Sequence, residues 1–100
     1  MTKLKIEKTF YGIEMTTKFK KELRTVARRG KNIDKLKKVI TYIATAQELP
    51  PKYKNHRLAG QYVGCYECHI EPDWLLIYRI MDDILILYLM RTGTHSELFE

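Results

Sequence analysis

From Thr17 onward the apolar residues Phe19, Leu23, Val26 and Ala27 recur at helical spacing, while Lys18, Lys20, Lys21, Arg24, Arg28 and Arg29 fall on the other side. The pattern predicts an amphipathic helix that starts on Thr16 or Thr17 as N-cap and is closed by Gly30. A second stripe follows, made of Ile33, Leu36, Ile40 and Ile43 and widened by Val39 and Ala44, with Asn32 as its cap. It runs down by Gln47, ahead of Pro50-Pro51, which cannot continue a helix. Only Gly30-Lys31 separates the two patterns, so the helices are expected to form an antiparallel hairpin.

Beyond Pro51 the period changes from helical to extended. His56 to Leu58 reads as a short strand broken by Ala59-Gly60, and Cys65 to Glu71 as a longer one ending in the turn Glu71-Pro72-Asp73. Trp74 to Met81 and Ile84 to Arg91 are rich in β-favouring residues, with Asp82-Asp83 between them as a hairpin turn. Tyr11 to Met15 is a short extended segment, and residues 1–10 read as an N-terminal extension able to pair loosely with it. Residues 11–100 are thus expected to form a single domain. The order of elements predicts an α+β fold: two antiparallel helices packed on one face of a mostly antiparallel sheet, the opposite face open.

Charge adds a partner class to this picture. Lys and Arg number 18 against 12 acidic residues, a formal charge of +6, which favours anionic partners, nucleic acid foremost. The charged start MTKLKIEKTF lacks an apolar stretch of the signal-peptide kind, and the apolar run near Ile84 to Met90 is too short to span a bilayer. The expectation is a cytoplasmic protein with reduced cysteines and no membrane partner.

Cys65-Tyr66-Glu67-Cys68-His69 spells C-x-x-C-H, the pattern of c-type haem attachment, and contains half of a zinc site. Strand geometry argues against both, because residues three apart point to opposite faces and cannot grip one group together. A second Cys/His pair at ligand spacing is also missing from the sequence. Cys68 is therefore read as a small buried hydrophobe and Cys65 as an incidental thiol, with no metal and no cofactor.

The same alternation puts Glu67, His69 and Glu71 on the face away from the helices, with Tyr66, Cys68 and Ile70 packed beneath them. The chain's three histidines, His56, His69 and His95, each stand among polar or cationic neighbours and can converge on that face. Three isolated surface histidines are the bland alternative. With a basic surface and no metal pattern, the chemistry such a site suits is RNA cleavage. One group takes the 2′-OH proton, another protonates the 5′-oxygen leaving group, and cations stabilise the pentavalent phosphorane. Histidine suits both proton roles. Arg91 suits a bidentate contact with phosphate. Trp74 and Phe99 suit stacking on bases, against the alternative that both are packing residues.

The segments YKNHRLAG, ECHIEPDWLLIYRI and RTGTHSELF resemble the YafQ branch of the RelE/ParE toxin superfamily over roughly residues 13–100. That resemblance implies a ribosome-dependent mRNA interferase of a type II toxin–antitoxin system, cutting messenger RNA in the ribosomal A site. Carried over by motif, the catalytic and RNA-binding positions are His56, His69, Asp73, Arg91, His95 and Phe99. His95 is then the general acid, while His56, His69 and Asp73 orient the scissile phosphate and share the base role. Glu67 stands where the family typically has Asp, one methylene shorter. The basic helix, with Lys20, Lys21, Arg24, Arg28 and Arg29, is expected to meet ribosomal RNA phosphates. The resemblance also implies a cognate antitoxin, of ribbon-helix-helix type, that covers the site. Two rivals differ in class: a ParE-like gyrase inhibitor, which generally lacks this histidine set, and a non-catalytic nucleic-acid-binding module in which Lys21 and Arg24 matter and His69 and His95 do not.

Overall fold

The computed structural model describes residues 9–99, so the expected pairing of residues 1–8 lies outside the described residues. Its elements are strand β1 (Gly12–Met15), helices α1 (Thr17–Arg28) and α2 (Ile33–Ala44), strands β2 (His56–Arg57), β3 (Tyr66–Glu71), β4 (Trp74–Met81) and β5 (Ile86–Gly93), and helix α3 (His95–Phe99). Two single-turn 3₁₀ segments, Pro51–Tyr53 and Gly60–Tyr62, flank β2.

Both long helices begin and end as the sequence predicts. The Thr16 side chain accepts from the Phe19 N–H, and that of Asn32 from the Asp34 N–H, each satisfying an orphan donor of the first turn. Gly30 closes α1 with φ 82°, a left-handed conformation that glycine adopts without steric cost.

The sheet runs β1-β5-β4-β3-β2, antiparallel except for the parallel pair of β1 and β5. Phe19, Leu23 and Val26 of α1 and Leu36, Val39, Ile40 and Ile43 of α2 pack on the sheet face formed by Cys68, Ile70, Trp74, Leu76, Tyr78, Leu87 and Leu89. β1 stops pairing at Met15, opposite Leu89, and α1 then covers the β5 edge with side chains. The Thr16 hydroxyl donates to the Met90 carbonyl (2.7 Å), and the Glu22 carboxylate accepts from the Thr92 N–H (3.2 Å).

Three expectations need correction. The second sheet face is not open: Cys65, Leu75, Ile77 and Leu98 form a smaller core there, joined by Leu58, Tyr62 and Met90, with α3 and the Gly60–Tyr62 turn supplying the cover. Glu71 does not share a face with Glu67 and His69. A register shift between His69 and Glu71 breaks the alternation, and Glu71 reaches Lys31 and Lys35 instead, 2.8 Å from each. The last strand begins at Ile86 rather than Ile84, because the turn from Asp82 uses four residues and puts Leu85 at φ 52°.

The two cysteines do diverge. Cys65 belongs to the smaller core and Cys68 to the main one, so each is buried on its own side of the sheet. Burial pushes the Cys68 thiol up to about 12 and raises that of Cys65, which leaves both as unreactive packing groups.

Candidate active site

Register places three candidate positions, His56, Glu67 and Arg91, in one row across the sheet, with the core residue Ile77 between the last two. His56 on β2 faces Glu67 on β3, Glu67 faces Ile77 on β4, and Ile77 faces Arg91 on β5. His69 lies in the next row on the same side of β3, opposite Leu75.

Glu67 is the hub of the histidine pair. It is only 5% exposed, and its Oε1 lies 3.3 Å from His56 Nε2 and 3.7 Å from His69 Nε2. Its other oxygen, Oε2, is buried with no hydrogen-bond partner among the described residues. The two imidazoles are 6.4 Å apart, centroid to centroid. Each is fixed from behind by a backbone carbonyl, His56 Nδ1 by Lys54 O (2.8 Å) and His69 Nδ1 by Pro72 O (3.3 Å). A carbonyl only accepts, so both Nδ1 atoms carry the hydrogen and both Nε2 atoms turn toward Glu67.

The following turn connects this pair to the third histidine. The Asp73 carboxylate accepts from the backbone N–H of His95 at 3.0 Å. Consecutive residues, Pro72 and Asp73, therefore hold the ring of His69 and the main chain of His95. The His95 ring is exposed and packs on Phe99, with centroids 5.0 Å apart.

Helix α3, which carries His95, was missed in the sequence, although its signal is there. Thr94-His95-Ser96-Glu97 is a capping box: the Glu97 N–H donates to the Thr94 hydroxyl (3.2 Å) and the Thr94 N–H donates to Glu97 Oε1 (2.9 Å). Arg29, which follows the last residue of α1, binds the same carboxylate, with Nη1 2.9 Å from Oε1. Arg29, with help from the Thr94 N–H, depresses the Glu97 carboxyl to about 2.

Two assignments change character in the structure. Trp74 is 1% exposed and sits in the main core, its indole N–H donated to the Thr92 hydroxyl at 3.0 Å. It has no face to offer a base, whereas Phe99 is 38% exposed. Arg91 is already engaged, bound by Glu22 and by the Tyr62 hydroxyl, which accepts from Nη1 at 2.7 Å. On α1, Lys20, Lys21, Arg24 and Arg28 are exposed, as a surface for RNA requires, whereas Arg29 is committed to Glu97. Tyr62 and Glu22, which position Arg91, carry no motif that sequence reading would single out.

Fold and site together define a small α+β domain with an acid–base cluster of histidines and carboxylates beside a cationic helix. Residues 11–100 match the family described as the bacterial toxin of type II toxin–antitoxin systems, YafQ, and the chain belongs to that family. The mRNA interferase toxin YafQ of Escherichia coli K12 is 40% identical over 88 residues, spanning 87% of this chain and 94% of that protein. The toxin in the crystal structure of the E. coli DinJ-YafQ toxin-antitoxin complex superposes with a TM-score of 0.82 at 37% identity, covering 91% of this chain and 99% of that one. A metal-bound toxin from Helicobacter pylori is similar too, with a TM-score of 0.85, 44% identity and coverage of 89% and 99%. Among the described residues, no helix is long and apolar enough to cross a membrane.

Proposed function

We propose that the protein is an mRNA interferase: an endoribonuclease that cuts messenger RNA in the ribosomal A site and is restrained by a cognate antitoxin of ribbon-helix-helix type. The observation that carries this reading is the Pro72-Asp73 turn, which holds one histidine by its ring and another by its main chain within one acid–base cluster. The kinship with the E. coli interferase supports it.

In this reading His69 is the general base. Its Nδ1 hydrogen is occupied by Pro72 O, and its Nε2, too far from Glu67 for a good hydrogen bond, keeps a lone pair for the 2′-OH proton. The freed 2′-oxygen attacks the adjacent phosphorus, forming a P–O bond as the bond to the 5′-oxygen breaks. His95 donates its proton to that leaving oxygen, so the products are a 2′,3′-cyclic phosphate and a free 5′-hydroxyl. The buried Glu67 carboxylate stabilises the imidazolium that forms on His69, and His56, closer to Glu67, helps to orient the scissile phosphate. Asp73 positions His95, Arg91 meets phosphate, and Phe99 stacks on a base. The exposed cations Lys20, Lys21, Arg24 and Arg28 contact ribosomal RNA, joined by Arg29 where its pairing with Glu97 permits. Residues 1–10 precede this single domain as an extension, and the protein works in the cytoplasm, where ribosomes are.

The test is cleavage of messenger RNA on programmed ribosomes by wild type and by His95→Ala. Wild type is expected to cut and the variant to lose at least a hundredfold in rate, the scale on which a general acid contributes. Equal cleavage by the two overturns the assignment of His95.

A further inference from the structure

Beside the histidines, on the side away from α3, lies a half-open cavity of about 470 Å³. Its walls include Lys35, Lys38, Lys52 and Lys54, with Tyr53 and Ile70 as an apolar floor and His69 and Pro72 at one end. The cationic rim has a single carboxylate, Glu71, and that carboxylate is already taken by Lys31 and Lys35. Among the described residues Lys38, Lys52 and Lys54 have no carboxylate partner; Lys52 rests its ammonium over the Tyr53 ring, 5.1 Å from the centroid. The cavity is therefore a concentrated positive field over an apolar floor, with Glu71 as the one carboxylate in its lining.

It is also continuous with the acid–base cluster through the main chain. Lys54, at φ 50°, lines the cavity and gives its carbonyl to His56 Nδ1. Pro72 lines the cavity and gives its carbonyl to His69 Nδ1. The segments that orient the two imidazoles are thus the segments that form the cavity wall, so a polyanion leaving His69 on this side enters it directly.

We infer that this cavity is a subsite for the substrate strand, holding a nucleotide adjacent to the scissile linkage with its phosphate on Lys38 and Lys52 and its sugar and base over Tyr53 and Ile70. The inference rests on the proposed RNA-cutting activity and extends it by naming a second contact region, opposite α1, through which the strand runs. Arg91 then meets the strand on one flank of the histidines and the lysine cavity on the other.

The experiment compares wild type with the double variant Lys38→Ser/Lys52→Ser, and with Lys37→Ser/Arg79→Ser as an equal loss of charge at exposed positions outside the cavity and off α1. The probe is a 2′-O-methylated single-stranded hexanucleotide, which cannot be cut, and binding is read by fluorescence anisotropy across a salt series. For the cavity variant, the slope of log affinity against log salt is expected to shrink by about 0.7 for each lost phosphate contact, with affinity down about tenfold near 0.1 M salt. The control pair is expected to stay within about twofold. A dinucleotide, too short to reach from the histidines into the cavity, should not distinguish wild type from the cavity variant. An unchanged hexanucleotide affinity and slope in the cavity variant overturns the subsite. So does a defect seen only with ribosomes, which assigns these lysines to ribosomal RNA instead. If lysine-dependent binding persists in a protein that cuts nothing, the subsite stands and the enzymatic reading falls; if wild type cuts normally and the cavity variant binds and cuts like it, the subsite alone falls.

Discussion

The guanidinium of Arg91 is held in a fork by the carboxylate of Glu22, with Nε 2.9 Å from Oε1 and Nη2 2.6 Å from Oε2. Both side chains are largely shielded from water, and Glu22 also takes the Thr92 N–H. Glu22→Gln leaves a shielded cation with one weaker acceptor and is expected to cost about 2 kcal/mol, hence roughly 10 °C in Tm. Calorimetry on the variant checks this. Arg91→Lys is expected to be no milder, since an ammonium cannot fill the fork and reach Tyr62 at once.

Glu67 should show the opposite relation between stability and activity. Its buried, unpartnered Oε2 is a cost to the fold, so Glu67→Gln is expected to leave the melting temperature unchanged or slightly raised. The same change removes the charge that stabilises a protonated His69, and cleavage should fall by about a hundredfold. Loss of activity accompanied by a large loss of stability would count against this role.

In the proposed mechanism Asp73 acts through His95, whose N–H donates to its carboxylate. Asp73→Ala removes the acceptor of the His95 N–H and is expected to slow cleavage at least tenfold for a stability loss of about 1 kcal/mol, whereas Asp73→Asn, which retains an acceptor oxygen, should recover part of the rate. The ratio of the two rates on programmed ribosomes is the readout.

The anchoring of α3 depends on pH in a defined direction. The Glu97 carboxyl is depressed to about 2 in the folded protein, chiefly by Arg29 and then by the Thr94 N–H. A depressed carboxyl stabilises the fold above its ordinary value of 4.5, and that contribution fades as pH falls from there toward about 2. The NMR signals of Leu98 and Phe99 should therefore shift over this acid window in wild type. Glu97→Gln should remove the part of the shift that belongs to this carboxyl.

The single tryptophan reports on the core and not on RNA. Trp74 emission should be blue-shifted and unaffected by bound oligonucleotide, and Trp74→Phe should lower stability by about 1–2 kcal/mol through the lost Thr92 bond and the reduced volume. Phe99→Ala, by contrast, should weaken RNA affinity with little effect on Tm.

The helices and most strands were legible because their causes are local. Caps at Thr16 and Asn32, the left-handed Gly30 and the apolar stripes lie within a few residues of what they determine. The histidines His56, His69 and His95 were singled out by their polar and cationic neighbours, whereas Asp73 entered only through the resemblance of the HIEPDW motif. Legibility failed where distant residues decide. Trp74 sits inside a motif that looks functional, yet it is buried in the main core with its indole N–H on Thr92, eighteen residues later. Glu71 follows strand alternation until a bulge redirects it to two lysines near the start of α2. The sheet's second face looked open because its cover comes from a five-residue helix whose capping box is short and easily read as loop.

The parallel pairing of Gly12–Met15 with Ile86–Leu89 also fixes a schedule. The first strand waits for the last, and Thr16 and Glu22 find their partners only when Met90 and Thr92 have been made. Closing so long a loop is slow and comes late in folding. A nascent chain on the ribosome thus lacks a finished sheet, a clamped arginine and His95 itself until residues 86–95 have been made, so a protein proposed to attack translation stays without its site while the segments before them are being synthesised.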